Sequence, residues 1–476
     1  MNEHGIHAAF GARLIMLGFG CIGRGVLPLL LRHIDMGPEQ IRIVTDHDKH
    51  RDVADEYGVS LRVQALTREN YRAVLAEELR PGEFLLHLSI NVGSVDLVSW
   101  CQENGVLYLD ACIEPWAGGY YDNALTPSQR SNYGLREAAL ALRRPTGRPA
   151  PTAVLTHGVN PGLVSHFVKQ ALLDIAAATG ESGSEPHDRD GWAGLAQRRG
   201  IRTIHIAERD TQVAAIRKQH GEFVNTWSVE GFVGEGCQPA ELGWGTHERH
   251  WPADAHRHGY GCDSAIYLER PGAATRVRSW TPLEGPYHGF LITHGEAISI
   301  ADYLSVSEST GNGKVIYRPT VHYAYHPCDD TVMSLHELAG KEWRLQAQLR
   351  ELGAADIASG MDELGVLLCG HRRNAYWYGS RLSIDEARRL CPHNTATSLQ
   401  TAAGVLGGVV WAMRHPMAGI VDPDQMDFRE VLEVASAYLG EMAGVFSDWT
   451  PLAGRGQLFA EELDEDDPWQ FSNVRV

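Results

Sequence analysis

A glycine-rich turn near the start of the chain has the residue types and the spacing that bind a dinucleotide. Gly18, Gly20 and Gly23 form the pattern G-x-G-x-x-G, which follows an apolar strand-like run and opens a helix-like segment. Gly18 allows the tight turn, Gly20 lets the backbone approach a pyrophosphate, and Gly23 lets the helix pack on the strand. The pattern therefore predicts a pyrophosphate at the helix N-terminus, bound by residues of the turn that include Cys21 and Ile22.

Polar residues end two further strand-like runs. Asp46 lies 23 residues after Gly23, near the usual spacing for an acid that binds the adenosine ribose and repels a 2′-phosphate. NAD is therefore favoured over NADP, although the basic residues that follow leave use of NADP open, and Asp48 is the alternative ribose-binding acid. The fourth run ends with Ser89 and Asn91, which either hydrogen-bond the phosphate or ribose of the cofactor or cap a turn.

The elements that must position these residues follow two patterns. In the first 150 residues, apolar runs alternate with helix-like segments, which is typical of a parallel α/β sheet. From about residue 201 to 381, short β-like runs predict a second, mixed and largely antiparallel sheet. A Pro/Arg-rich stretch marks the expected domain boundary. We expect a Rossmann-type domain at 1–152, joined by helices at about 389–418, and a substrate and dimerisation domain at 153–388. A C-terminal helix and extended tail follow at 419–476.

Composition limits the function classes. The chain has 42 Lys and Arg against 60 Asp and Glu, a net charge of −18, which disfavours duplex nucleic acid and suits small cations or simple solubility. No apolar run approaches the roughly 18 residues that span a membrane. The N-terminus lacks a signal-peptide pattern, and eight scattered cysteines favour reduced thiols in the cytoplasm. No metal is expected, since an exposed loop explains the four clustered histidines His247, His250, His256 and His258.

Uncommon residues are dense in several segments, among them DACIEPWAGGYYD, NPGLVSHFVKQAL, FVNTWSVEGFVGEG and HGEAISIADYL. With these segments the chain resembles, nearly end to end, the bacterial homospermidine synthases, a family in the saccharopine-dehydrogenase-like group of NAD enzymes. The resemblance implies a two-domain cytoplasmic homodimer that joins two putrescines into homospermidine with release of ammonia. Spermidine is a possible alternative donor.

The same resemblance implies the substrate site. It places Trp227, which we expect on a strand, beside the substrate cation, and it lines the diamine pocket with Glu114, Glu208 and Glu235. It also places His294 close to the diamine, where a near-neutral pKa would suit proton exchange with an amine. From residue type alone, a core tryptophan, solvated carboxylates and a structural histidine remain the alternatives.

Two further positions, Asn160 and Thr397, complete the expected site. Asn160 stands at a strand-to-helix junction, where it either binds the nicotinamide amide or the substrate nitrogen or forms a turn. Thr397 lies near the start of a late helix expected close to the cofactor phosphates, although the family pattern there is Asn-Ala-Thr and this chain has Thr395 at the first position. Glu296 is expected to cap the helix after His294, and the bond before Pro115 is a candidate for the cis form.

The chemistry implied is a redox cycle without net redox change. Oxidation by NAD converts an amine to an imine, a second amine attacks it, and the new imine is reduced by the retained NADH. The runner-up function is a carboxyspermidine or saccharopine-type NAD(P)-dependent reductase, which would need pocket arginines for a carboxylate. A third possibility is an NAD-binding sensor, which would need only the first domain.

Overall fold

Seven parallel strands form the first sheet of the computed structural model, which describes residues 5–144, 148–180, 184–308 and 313–476. The first strand of this sheet lies near its centre, so the chain runs outward from it in both directions and leaves a crevice at the carboxyl ends of the strands. From one edge to the other, the order is Ala418–Val421, Ala150–Val154, Leu107–Asp110, Phe84–His87, Leu14–Leu17, Ile41–Thr45 and Ser60–Val63.

The central strand Leu14–Leu17 is buried on both faces because its side chains alternate between two cores. Leu14 and Met16 belong to the core that contains helices Cys21–His33 and Ala396–Arg414. Ile15 and Leu17 belong to the opposite core, with the helices Tyr71–Glu78 and Ser94–Asn104. A continuous apolar run is therefore what this sheet requires, and the prediction of a Rossmann-type parallel sheet is confirmed.

Two strands extend this sheet beyond the apolar runs of the first 150 residues. Ala150–Val154 crosses the expected domain boundary at residue 152 and pairs with Leu107–Asp110. Ala418–Val421 extends the sheet further and follows directly after the long helix Ala396–Arg414. The boundary stretch 141–152 includes residues 145–147, which lie outside the described residues. The division into domains given above stays a proposal.

A second sheet is mixed and largely antiparallel, as predicted. Its one parallel pair joins Thr320–His326 to Thr203–Asp210. A hairpin of Arg276–Thr281 and Gly285–Phe290 attaches through Phe290 and Tyr325. The main path of the sheet is Ala255–Arg257, Ala265–Pro271, Pro239–Gly243, Thr320–His326, Thr203–Asp210, Met361–His371, Asn374–Ser383 and Glu441–Ser447.

Short paired strands and helices surround the two sheets. The short pairs are Ala8–Ala9 with Ile34–Asp35, Val213–Ala214 with Ile357–Ser359, Glu222–Asn225 with Gln348–Glu351, and Val306–Ser307 with Val315–Tyr317. Besides the four helices named above, the described α-helices are Arg51–Glu56, Asn132–Leu140, Leu163–Ala178, Arg189–Arg199, Val229–Cys237, Gly295–Tyr303, Asp329–Gly340, Ile384–Leu390, Phe428–Ala435 and Phe471–Val474. Among the residues that the structure describes, no helix is long and apolar enough to cross a membrane.

The histidine-rich segment differs in part from the exposed loop that the sequence predicts. His250 is exposed and His256 is half-buried, but His258 is buried, stacks on Tyr133 at 3.8 Å between ring centroids, and bonds to Ser128. The side chain of His247 is only 6% exposed, and its Nε2 lies 3.3 Å from the carbonyl oxygen of Trp469. Contacts inside the protein therefore explain His247 and His258. Within the described ranges, no three His, Cys, Asp or Glu side chains are arranged to hold a metal.

Candidate active site

An open cleft of about 620 Å³ lies between the carboxyl edge of the parallel sheet and the mixed sheet. Residues from both sheets line it, together with the starts of several helices. Apart from Gly23 and the alternative acid Asp48, every residue that the sequence analysis assigns to cofactor or substrate lines it. Gly23 packs beneath the glycine turn, where a Cβ would stand 3.0 Å from the carbonyl oxygen of Gly18.

The glycine turn has the shape that a pyrophosphate requires. Gly18 has a φ of +85°, and a Cβ there would come within 2.7 Å of the Leu88 carbonyl oxygen. A Cβ on Gly20 would instead meet open space, so the backbone can be approached closely. The helix Cys21–His33 starts without a side-chain cap, which leaves its first N–H groups free for an anion. Cys21 and Ile22 both line the cleft beside it.

The other predicted cofactor residues also line the cleft. The Asp46 side chain is 71% exposed there, whereas Asp48 is not part of the wall, which favours Asp46 for the ribose. Ser89 and Asn91 lie on the wall as well. The hydroxyl of Thr397 is already engaged inside the protein, because it donates to Asp362 Oδ2 at 2.5 Å and accepts from the Gln212 side chain.

Glu114 and Glu235 place two carboxyl groups at the inner end of the cleft. An oxygen of Glu114 accepts the backbone N–H of Asn91 at 3.3 Å, and burial raises the pKa of Glu114 to about 8. Glu235 Oε1 accepts from the thiol of Cys112 at 3.7 Å, and its Oε2 lies 3.0 Å from His294 Nε2. This end of the cleft is therefore acidic and poorly solvated.

His294 lies between two carboxylates. Its Nδ1 is 3.3 Å from Oε1 of Glu296, opposite the contact of Nε2 with Glu235. Burial alone would lower the pKa of His294, but the charges of Glu296 and Glu235 and the hydrogen bonds to them raise that pKa well above its usual value. The expected near-neutral pKa is wrong for this reason. The expectation that Glu296 caps the helix Gly295–Tyr303 is also wrong, because its described contact is with His294 and no side chain caps this helix.

A second acidic position lies around Glu208. Its Oε2 accepts from Asn160 Nδ2 at 2.9 Å and from the hydroxyl of Tyr323. Burial raises the pKa of Glu208 to about 8. The Tyr323 ring also lies 4.6 Å from the ring of His294, so one tyrosine touches both acidic positions. The cis peptide bond in the described chain is Asn160–Pro161, not the bond before Pro115.

The sequence analysis did not select Tyr323 or the acids behind Glu208. Tyr323 and Tyr325 alternate on the strand Thr320–His326, which places them on one face, and this period of two was the available signal. Asp362 and Asp210 are buried near Glu208, and burial raises the pKa of Asp210 to about 6 and that of Asp362 well above its usual value. Only the pairing of their strands brings these acids together.

Trp227 is half-buried and lines the cleft. Its indole N–H donates to the Tyr325 hydroxyl at 3.3 Å, and its ring packs edge-on against Phe232 at 5.5 Å. The expectation that it lies on a strand is wrong. The strand Glu222–Asn225 ends before it, and the helix Val229–Cys237 begins after Ser228, whose hydroxyl accepts the backbone N–H of Gly231 at 3.1 Å.

The parallel sheet, the glycine turn and the acidic cleft are those of a dinucleotide-binding protein of the saccharopine-dehydrogenase-like group. The saccharopine dehydrogenase NADP binding domain model matches residues 14–154, and the saccharopine dehydrogenase C-terminal domain model matches residues 158–447. A saccharopine dehydrogenase (L-Glu forming) from Saccharomyces cerevisiae, 9% identical, shares the fold with a TM-score of 0.51 over 92% of this chain and 100% of its own.

Other relatives are much closer. The homospermidine synthase of Blastochloris viridis is 52% identical over 100% of both chains. That of Mesorhizobium japonicum is 49% identical over 97% of this chain and 96% of its own. A crystal structure of the Legionella pneumophila homospermidine synthase in complex with NAD is 47% identical, with a TM-score of 0.91 over 98% of each chain. The chain belongs to the homospermidine synthase family.

The exposed carboxylate of Asp46 predicts the cofactor preference. Asp46→Ala should weaken binding of NAD far more than binding of NADP, because a carboxylate that accepts from the ribose hydroxyls of NAD and repels a 2′-phosphate would be lost. Titration of both cofactors against protein fluorescence measures this. Asp48→Ala makes the same charge change two residues away and should leave both affinities nearly unchanged. Equal losses for the two cofactors in Asp46→Ala would exclude the ribose role.

The raised pKa values predict a pH-dependent response to diamines. Because the pKa of Glu114 and of Glu208 is about 8 in the folded protein against an ordinary 4.5, their contribution to stability is present at low pH and is lost as the pH rises between these values. Putrescine should therefore raise the melting temperature more at pH 8.5 than at pH 6.5, since ionised carboxylates bind ammonium groups. Glu114→Gln should reduce this difference, and a pH-independent shift in the unmodified protein would contradict it.

Proposed function

We propose that the protein is a homospermidine synthase, which uses NAD to transfer an aminobutyl group from one putrescine to another with release of ammonia. The observation that carries the proposal is the presence of two buried acidic positions, around Glu235 and around Glu208, in the cleft that also holds the glycine turn. A diamine has two ammonium groups, and two separate carboxylate positions bind its two ends.

The residues present fit NAD. An uncapped helix start, a turn open at Gly20 and an exposed Asp46 match the pyrophosphate and the ribose. When bound, NAD supplies hydride acceptance from an amine carbon and return of the hydride to the new imine. We propose that Ser89 and Asn91 complete its site. The family relative solved with NAD supports this choice of cofactor.

We propose the following roles for the residues that face the substrate. Glu208 with Asn160 binds the distal ammonium group, and Glu114 and Glu235 orient the reacting nitrogen beside His294. His294 exchanges protons with the amines through Nε2, the ring nitrogen on the side of Glu235. Trp227 lies over the substrate cation, where an aromatic face near a desolvated cation is worth about 2 kcal/mol.

The acidic walls disfavour the runner-up, a reductase of the carboxyspermidine or saccharopine type. Its substrate carries a carboxylate, which needs pocket arginines, but no described residue on the wall is an arginine, whereas five are glutamates: Glu114, Glu208, Glu235, Glu230 and Glu351. The walls also explain why a second domain is needed, since three of these five carboxylates come from 201–300. An NAD-binding sensor would not require them.

We also propose that the protein is a homodimer in the cytoplasm and that it acts on putrescine and other small polyamines. The family resemblance supports the assembly. The eight cysteines are free thiols, the state that the cytoplasm maintains.

The test of the function is synthesis with a catalytic amount of cofactor. With putrescine in large excess over NAD, homospermidine and ammonia should form in equal amounts, many times the amount of NAD, while NADH absorbance stays low. Glu235→Gln, which keeps the side-chain shape and removes the charge, should make little product. NADH that accumulates in proportion to consumed putrescine would indicate an amine dehydrogenase, and stoichiometric use of NADPH would indicate a reductase.

Trp227 gives a graded test of cation binding. The order of kcat/KM should be Trp, then Phe, then Ala, because Phe keeps a weaker quadrupole and Ala has none. The loss for Trp227→Ala should be about tenfold or more, which corresponds to about 1.4 kcal/mol. NAD affinity and melting temperature should hardly change, and Trp251→Ala, on the exposed surface, is the control. A folded Trp227→Ala variant with unchanged kcat/KM would exclude the role.

A further inference from the structure

Glu296 is a buried carboxylate whose position the helix does not explain. It is 1% exposed and lies in the first turn of the helix Gly295–Tyr303, where a carboxylate usually accepts backbone N–H groups. Its Oε1 instead lies 3.3 Å from His294 Nδ1, and its Oε2 has no hydrogen-bond partner among the described residues. A buried carboxylate oxygen without a donor is unfavourable, so the contact with His294 has to offset that cost.

Both ring nitrogens of His294 face carboxylate oxygens. Nδ1 faces Glu296 at 3.3 Å, and Nε2 faces Glu235 at 3.0 Å. An ionised carboxylate only accepts hydrogen bonds, so two such partners require a proton on each nitrogen. Further ionisable groups lie near the ring: Glu208 interacts with its charge, Tyr323 packs against it, and the thiol of Cys112 donates to Oε1 of Glu235 at 3.7 Å.

The two carboxylates differ in their access to substrate. Glu235 lines the cleft, and Glu296 lies behind His294 and is not part of the wall. The arrangement therefore has an inner carboxylate, an imidazole and an outer carboxylate in series. In such an arrangement the inner acid sets which nitrogen keeps its proton when the ring loses one.

We propose that Glu296 is a positioning residue that fixes the tautomer and orientation of His294, so that the Nε2–H of His294 is the proton exchanged with the amines. The inference rests on the proposed function. The second diamine first attacks the imine carbon. As the carbon–nitrogen bond to ammonia then breaks, the lone pair of the attacking nitrogen forms the new imine bond, and the departing nitrogen keeps the electron pair of the broken bond and takes the Nε2 proton. His294 is then neutral with Nδ1–H retained on Glu296, and Nε2 recovers a proton in the next turnover from the ammonium group of the diamine that enters, which leaves that amine neutral.

The test is the pH profile of kcat for the unmodified protein, Glu296→Gln and the control Ser299→Ala. Ser299 is buried on the same helix and borders Asp424 rather than His294. With Gln at position 296 the alkaline limb of kcat should move to lower pH by about one unit or more, and kcat at pH 8 should fall about tenfold. NAD affinity should not change, and Ser299→Ala should keep the limb of the unmodified protein. An unmoved limb in Glu296→Gln would overturn the proposal.

A second measurement does not depend on the variant or on activity. Nitrogen NMR of the unmodified protein with labelled histidine, with the His294 signals assigned by their loss in His294→Gln, reports the protonation of each ring nitrogen. Two protonated nitrogens at pH 7 support the proposal, and a neutral ring at pH 7 overturns it. If the unmodified protein made no homospermidine, the proposed function would fail, but this spectrum would still decide the state of His294.

Discussion

Negative charge held out of water at the carboxyl edge of the parallel sheet is the constraint on which the rest of the site depends. Removing a carboxylate from water costs several kcal/mol unless the group is neutralised or paired. The chain meets this cost in two ways. Burial raises the pKa of Glu114 and Glu208 to about 8, which keeps protons on them at neutral pH, and Glu235 pairs with His294. In the proposed function, diamine binding replaces the retained protons with ammonium groups.

Four helices have their N-termini at the cleft. The helices Cys21–His33, Val229–Cys237, Gly295–Tyr303 and Ala396–Arg414 all have residues at their N-termini on the wall of the cleft. The N-terminus of a helix carries a partial positive charge and free N–H groups. The positive ends of these helices therefore surround a cleft that fits an anionic cofactor and also contains ionisable acids. The orientation of these helices therefore offsets part of the negative charge of the acidic side chains in the cleft.

The sequence predicted those features of the structure that depend on interactions between residues close together in the chain. The glycine turn and the strand Leu14–Leu17 follow from conformational freedom and apolar runs, and the structure confirms both. Trp227 was misplaced on a strand because Ser228 can start a helix at once after a short strand. The site acids were named through the family resemblance. Their pairing could not be predicted, because it arises from strand register and from the packing of one helix start against another.

Ala418–Val421 fixes the order in which this molecule can be completed. This strand pairs with Ala150–Val154, and the helix before it covers the face of the sheet to which Leu14 and Met16 belong. During synthesis, every strand of the mixed sheet except the last therefore leaves the ribosome before the parallel sheet has its edge strand and the helix that covers it. The first 150 residues, which look like an independent module in the sequence, leave an apolar face uncovered until residue 421 has emerged. The parallel sheet is therefore begun first during synthesis and completed only near its end.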